Sequence, residues 1–178
     1  CALANKRNFD TMPETGVPNY DVTLVCSGDG TTSQGDFHEA LNWASRAKAP
    51  IIFLVENNHY AISVPLSEQR ADSKVSTLAR GYQNLFVSEV DGCNFFDSYK
   101  VLNQAVKRAK NGEGPTLIDA DVVRLLPHSS SDDHKKYRSK KELLEDNDRD
   151  PLLLFESYLL KNGIFSKDKV ASLKSSIK

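Results

Sequence analysis

Two periodicities alternate along the chain. Val22–Cys26, within "YDVTLVCSGDG", is a short β-rich run punctuated by glycines and predicts a strand. From Gln34 to Lys48 the apolar residues Phe37, Leu41, Ala44 and Ala47 fall near helical spacing, with Trp43 alongside, and Pro50 follows at the stop. "PIIFLVENN" is an unbroken apolar run, the pattern of a strand buried on both faces. Leu78–Tyr82 reads as the end of another helix and "NLFVSEVDG" as a third strand. Phe95–Lys110 puts Phe96, Val101, Leu102, Ala105, Val106 and Ala109 on an amphipathic helix that stops at "NGEGP". "PTLIDADVVRL" supplies a fourth strand. This order predicts an α/β fold: a mostly parallel sheet with helices on both faces.

After Leu126 the texture changes. "LPHSSSDDHKKYRSKKELLEDNDRD" is polar and charged, and predicts a long loop with at most a short helix. Pro151 opens a helix that ends at Gly163, and Ser166 is an N-cap for a last amphipathic helix. At the other end, "CALANKRN" lacks Met and reads as the last turns of a helix that begins upstream. The expectation is therefore an excised or partial chain.

Composition narrows the classes. The chain has 178 residues, enough for one sizeable core. Charged residues nearly cancel to a net −1, leaving no electrostatic footprint for nucleic acid or an anionic membrane. No apolar run approaches the roughly 20 residues that span a bilayer. Cys1, Cys26 and Cys93 form neither a disulfide framework nor a zinc pattern, which suits a reducing cytosol or organelle matrix. Cys26 is expected to be a small buried hydrophobe and Cys93 to be more open. Trp43 and the Leu152–Phe155 cluster read as core or interface.

Candidate chemistry gathers at two strand ends. Gly28-Asp29-Gly30 follows the first strand and Asn57-Asn58 the second. Ligands of open parallel sheets sit beyond such ends, and paired strands lie about 5 Å apart. A carboxylate with amide and carbonyl oxygens suits magnesium or calcium, not zinc. Magnesium keeps phosphate oxygens or waters, so a phosphorylated cofactor is its natural companion, with N–H groups at Gly30 and Thr31 to receive it. Either element alone is an ordinary turn; the pair, one helix apart, is much more specific. His128 stands in a polar loop at a strand end and is a further candidate, whereas His38 and His59 read as surface or packing residues and His134 as solvated. Ser129, His128 and Asp132 do not make a hydrolase triad, because no nucleophile elbow accompanies them.

The text "GDGTTSQGDFHEALNWASRAKAPIIFLVENNHYAISVP" resembles the thiamine-diphosphate motif in the alpha subunit of 2-oxo acid dehydrogenases, the decarboxylating component. "RLLPHSSSDDHKKYRS" is similar to that family's second signature, a His-Ser loop. Ser-Asp-Asp, "YAISVP" and Pro127 tilt the resemblance toward the bacterial branched-chain, or 2-oxoisovalerate, type over pyruvate or acetoin dehydrogenase. The resemblance implies a thiamine-diphosphate-binding fold. Residues 1–126 would be the diphosphate- and Mg²⁺-binding domain, 127–150 the active-site loop and 151–178 a C-terminal helical extension.

It also implies roles. Asp29, the Asn58 side chain and the Tyr60 carbonyl would ligate Mg²⁺. Gly28, Gly30 and Thr31 would line the diphosphate, with His128 reaching it from the site's mouth and Ser129 beside the substrate path; Asn57 would hold the turn. The implied reaction is decarboxylation of a 2-oxo acid with acyl transfer to a lipoyl group. The implied partners are a beta subunit, separate or fused, and the lipoyl domain of an acyltransferase. The implied location is the cytoplasm, or the mitochondrial matrix in a eukaryote. In some members serines matching Ser129 and Ser139 are phosphorylated. One departure stands out: Glu56 occupies a place where some members carry a diphosphate-contacting base, so Arg124 or an upstream cation would have to serve. A non-catalytic assembly module that kept the fold is the alternative of another class.

Overall fold

The computed structural model describes residues 1–3, 19–72 and 74–177. Ala2 and Leu3 are helical, while the rest of the predicted N-terminal helix lies outside the described residues. Among the described residues four parallel strands form the main sheet: β1 (Thr23–Gly28), β2 (Ile51–Asn57), β5 (Phe86–Asp91) and β6 (Thr116–Asp121). Their order is β1-β2-β6-β5, so the last strand in the chain inserts between the second and its own predecessor. A two-residue hairpin, β3 (Tyr60–Ala61) with β4 (Val64–Pro65), projects beyond the end of β2.

Among the described residues the predicted helices are present, though the one expected to end over Leu78–Tyr82 stops at Ala79. α1 (Gly35–Ala47) ends where Lys48 turns left-handed at φ 47°, and short α2 (Leu66–Gln69) and α3 (Val75–Ala79) follow the hairpin. α4 (Phe95–Lys110) is capped by the Asn94 side chain, which accepts from the Phe96 and Asp97 amides. α1 and α3 cover one sheet face, packing Phe37, Leu41, Val75 and Ala79 on Phe53, Val55 and Leu117. α4 covers the other, with Ala105 on Ile52 and Ile118. Helices therefore lie on both faces, as period and order predict. Three helices end the chain: α5 (Lys140–Asp148), capped by Ser139; α6 (Pro151–Lys161), with proline in its first turn; and α7 (Lys167–Ser176), capped by Ser166.

Several expectations on individual residues fail, each for a topological reason. β1 is the outer strand, and neither core cluster takes in Leu24, Val25 or Cys26 as a buried member, so Cys26 is exposed. Cys93 is buried instead. A Cβ on its neighbour Gly92 would meet Val122 Cγ1 at 2.5 Å, so the loop crosses tightly over the end of β6, where Cys93 lines a cavity with Phe95, Phe96 and Phe155. His134 is buried rather than solvated, because a 3₁₀ turn over His134–Lys136 folds it inward while its carbonyl accepts from the Arg138 amide. Of the two readings of Trp43, core or interface, the core one fails: the ring is exposed, with the Arg46 guanidinium 5.1 Å from its centre. Phe96 and Leu152–Leu154 are likewise exposed on the surface of the described residues.

Candidate functional site

β1 and β2 pair in register from Thr23–Ile51 to Gly28–Glu56, which carries Asp29 alongside Asn57. Asp29 begins a 3₁₀ turn, Asp29–Ser33, closed by the Thr32 hydroxyl donating to the Asp29 carbonyl at 2.6 Å. This turn packs on the β3–β4 hairpin, and only a glycine permits the approach. A Cβ on Gly30 would lie 2.7 Å from that of Ala61. The Asp29 side chain is 0% exposed, and neither carboxylate oxygen has a hydrogen-bond partner among the described residues. Burial raises its pKa; the amides of Asp29 and Asn58, then His59 and Gln69, pull it partly back without reaching hydrogen-bond geometry on either oxygen. An ionised carboxylate in that position costs several kcal/mol unless a cation meets it.

The paired asparagines do different work. Asn57 is buried and fully engaged: its Nδ2 donates to Asp119 Oδ1 at 3.1 Å, and its Oδ1 accepts from the His59 amide at 3.1 Å. Asp119 accepts in turn from the Ser76 amide at 2.9 Å. Asn58 is only half-buried; its Oδ1 accepts from the Tyr60 amide at 3.1 Å and keeps a second lone pair. Antiparallel rungs alternate, and the Leu66 amide bonds the His59 carbonyl at 2.8 Å, so the next rung, Tyr60–Pro65, is the open kind. The Tyr60 carbonyl consequently points away from β4. An orphaned carboxylate, an amide oxygen with a spare lone pair and an outward carbonyl form an all-oxygen donor set that fits a hard divalent cation.

The polar loop closes over the hairpin from the other side. Arg124 donates to the Ile62 carbonyl and to the Tyr137 hydroxyl, each at 2.7 Å. Tyr137 donates to Asp132 Oδ2 at 2.7 Å, and the His128 amide reaches the same oxygen at 2.9 Å. The Tyr137 hydroxyl and the His128 amide hold the Asp132 carboxyl below its ordinary value. Arg138 is buried, with bonds to Glu142, Asp146 and the Arg124 carbonyl, and its guanidinium lies 5.4 Å from the centre of the Tyr60 ring. Among the described residues no hydrogen bond joins the His128 or Ser129 side chain to Asp29 or Asn58; His128 and Ser129 are exposed, and Ser129 Oγ lies 3.2 Å from Ser131 Oγ. Thr31 is also exposed, and nothing crowds Gly28.

Some site residues escape a reading of the sequence. Arg124, the expected substitute for the base that Glu56 replaces, is occupied by Ile62 and Tyr137. Arg70 stands instead against the Gly-Asp-Gly turn, donating to the Thr32 hydroxyl at 3.2 Å with its Nε buried and unpartnered. Burial lowers its pKa, opposed by Asp72, Asp119 and Asp29. Asp119 and Asp121 are two carboxylates in an otherwise apolar strand, a signal that the sequence does carry. Arg70 and Arg149 leave no local signal, since their partners are distant in sequence.

A family model described as "Dehydrogenase E1 component" matches residues 4–178. The chain is 44% identical over 145 residues to the 2-oxoisovalerate dehydrogenase subunit alpha of Bacillus subtilis (strain 168), covering 82% of this chain and 44% of that relative. It is 42% identical over 146 residues to the 3-methyl-2-oxobutanoate dehydrogenase subunit alpha of Mycobacterium tuberculosis (strain ATCC 25618 / H37Rv), covering 82% of this chain and 40% of that relative. It is 41% identical over 164 residues to the pyruvate dehydrogenase E1 component subunit alpha of Staphylococcus epidermidis (strain ATCC 12228 / FDA PCI 1200), covering 88% and 44%. The chain thus spans about two-fifths of the length of these relatives.

Proposed function

Because the chain belongs to the dehydrogenase E1 component family, we propose that it anchors thiamine diphosphate through Mg²⁺ in the alpha subunit of a 2-oxo acid dehydrogenase. The observation that carries this reading is the buried Asp29 carboxylate, with both oxygens unpartnered beside an asparagine amide and an outward carbonyl. Asp29, Asn58 and the Tyr60 carbonyl hold the metal, and Gly28, Gly30 and Thr31 offer the backbone approach for the diphosphate. Bound thiamine diphosphate supplies the electron sink for decarboxylation. His128 and Ser129 serve the mouth of the site, where His128 holds or moves a proton near the diphosphate and Ser129 borders the path of the acyl acceptor. Support for this placement is the link from the His128 amide through Asp132, Tyr137 and Arg124 to the hairpin that carries Tyr60.

The substrate is a branched-chain 2-oxo acid, and the acyl group passes to a lipoyl group on an acyltransferase. Ser131-Asp132-Asp133 and "YAISVP" support this choice over pyruvate. The work requires a beta subunit, and the setting is the cytoplasm; no helix among the described residues is long and apolar enough to cross a membrane. Calorimetric titration of thiamine diphosphate with Mg²⁺ onto the full-length subunit assembled with its partner tests the cofactor reading, and absence of binding sinks it. Turnover of 3-methyl-2-oxobutanoate at least about tenfold above pyruvate is expected of the same assembly, whereas a preference for pyruvate favours the second reading, which the Staphylococcus relative supports.

A further inference from the structure

Between the two donors Asn58 and Tyr60 stands His59, with φ at 66°. That left-handed backbone is the ordinary place for glycine or asparagine, because a larger side chain crowds the following carbonyl. Three bonds keep the histidine there. Its amide donates to Asn57 Oδ1, its carbonyl accepts from the Leu66 amide, and its ring Nε2 lies 2.8 Å from Asp121 Oδ1. Since a carboxylate only accepts, Nε2 carries the proton.

Asp121 ends β6, and its second oxygen takes the Arg149 guanidinium at 2.9 Å. Arg149 also donates at 3.0 Å to Oδ1 of Asp91, the last residue of β5. It is the C-cap of α5 and immediately precedes Asp150, the N-cap of α6. One line of side chains therefore runs from the donor turn, across the ends of two parallel strands, to the junction of the C-terminal helices.

We propose that His59 is a positioning residue for the cation and diphosphate site, its ring tethered by Asp121 and Arg149 so that the turn aims Asn58 Oδ1 and the Tyr60 carbonyl together. The inference rests on the cofactor reading above and extends it to residues outside the donor set. His59 joins Asn58 to Tyr60 through its two peptide bonds, so a rotation at this residue changes where the Tyr60 carbonyl points relative to Asn58 Oδ1. The backbone bonds alone hold one side of the turn; the ring supplies the hold on the strand ends. The His59 and Asp121 side chains are 52% and 45% exposed, so their pairing contributes little to folding. Loss of the tether should accordingly register in ligand affinity rather than in melting temperature.

The test is calorimetry of Mg²⁺ binding at saturating thiamine diphosphate, on the full-length subunit assembled with its partner. His59→Ala and Asp121→Ala should each raise the Mg²⁺ Kd about tenfold, the size seen when residues that orient metal ligands are removed. The double variant should lose no more than either single one, because both cut the same tether. His59→Gln should recover most of the affinity, since its amide nitrogen reaches the position of the imidazole Nε2 and offers an N–H to Asp121. Melting temperatures should stay close to that of the unaltered enzyme throughout. An unchanged Kd in His59→Ala overturns the inference, as does a loss that tracks a fall in melting temperature and is not rescued by glutamine. If His59→Ala does not assemble, the Kd of Asp121→Ala decides alone: a rise at constant melting temperature supports the tether, and an unchanged value overturns it. No binding by the unaltered assembly overturns the cofactor reading and this inference with it.

Discussion

The Gly-Asp-Gly turn and the His-Ser loop flank the same hairpin, yet they are held in opposite ways. The turn is positioned by the sheet: parallel register brings Asp29 beside Asn57, and a glycine lets it touch Ala61. Its carboxylate is buried and has no hydrogen-bond partner among the described residues. The loop is positioned by charge: Arg124, Asp132, Tyr137 and Arg138 clamp it, while His128 and Ser129 remain exposed. On the proposed reading, the part that would hold a fixed ion is built on strand ends, and the part that would admit a second molecule is built on a clamped loop. The turn keeps a charge unsatisfied; the loop turns its charges to its own closure.

Changes on the two sides should separate this comparison into distinct readouts. Asp29→Asn is expected to have the largest effect, weakening Mg²⁺–thiamine diphosphate binding by at least about 100-fold in calorimetry while stabilising the ligand-free form once pH exceeds the ordinary carboxyl value, because the amide carries no charge for burial to penalise. The sign with pH follows. Burial raises the folded pKa above the ordinary 3.8, so the ligand-free protein loses stability as pH rises from that value through the folded pKa. In the asparagine variant this slope should vanish from pH-dependent melting curves.

Arg138→Ala comes next, costing about 2–4 kcal/mol by stripping the buried partner from Glu142 and Asp146. Hydrogen exchange should accelerate across residues 127–148 while cofactor affinity falls less than about tenfold. An equal loss of affinity would mean that the clamp and the turn are one unit. Gly30→Ala should act in reverse, reducing cofactor affinity about tenfold through the clash with Ala61 and leaving loop exchange unchanged. The smallest effect belongs to Ser139→Ala, which removes the α5 N-cap bond to the Glu142 amide and costs about 1 kcal/mol, visible as faster exchange in the first turn of α5.

What can be read from the sequence follows from the range of the forces involved. Strands, helices and caps are legible because apolar period, Pro151 and Ser166 act within a turn or two of chain. The cluster of Asp29 with Asn58 is legible because a βαβ unit places consecutive strand ends together. The sheet order is not, and with it goes the exposure of Cys26 on the outer strand. Cys93 and His134 depart from expectation because their burial depends on loops crossing strand ends, which no periodicity records. The short hairpin is hidden inside "HYAISVP", where two-residue strands leave no pattern. Arg70 against Thr32, and Arg149 against Asp91 and Asp121, join residues 28 to 58 positions apart and meet only once the chain is folded.

The hairpin also imposes a rule of register. Two residues, Ile62 and Ser63, separate β3 from β4, and the pairing they close leaves Tyr60 on an open rung. A one-residue slip of β3 against β4 would exchange open rungs for bonded ones and turn the Tyr60 carbonyl toward β4. A change in the turn's length that shifts this register should therefore withdraw the carbonyl with every side chain intact, whereas one absorbed by a bulge preserves it. In this part of the molecule the number of residues is as much a functional property as their identity.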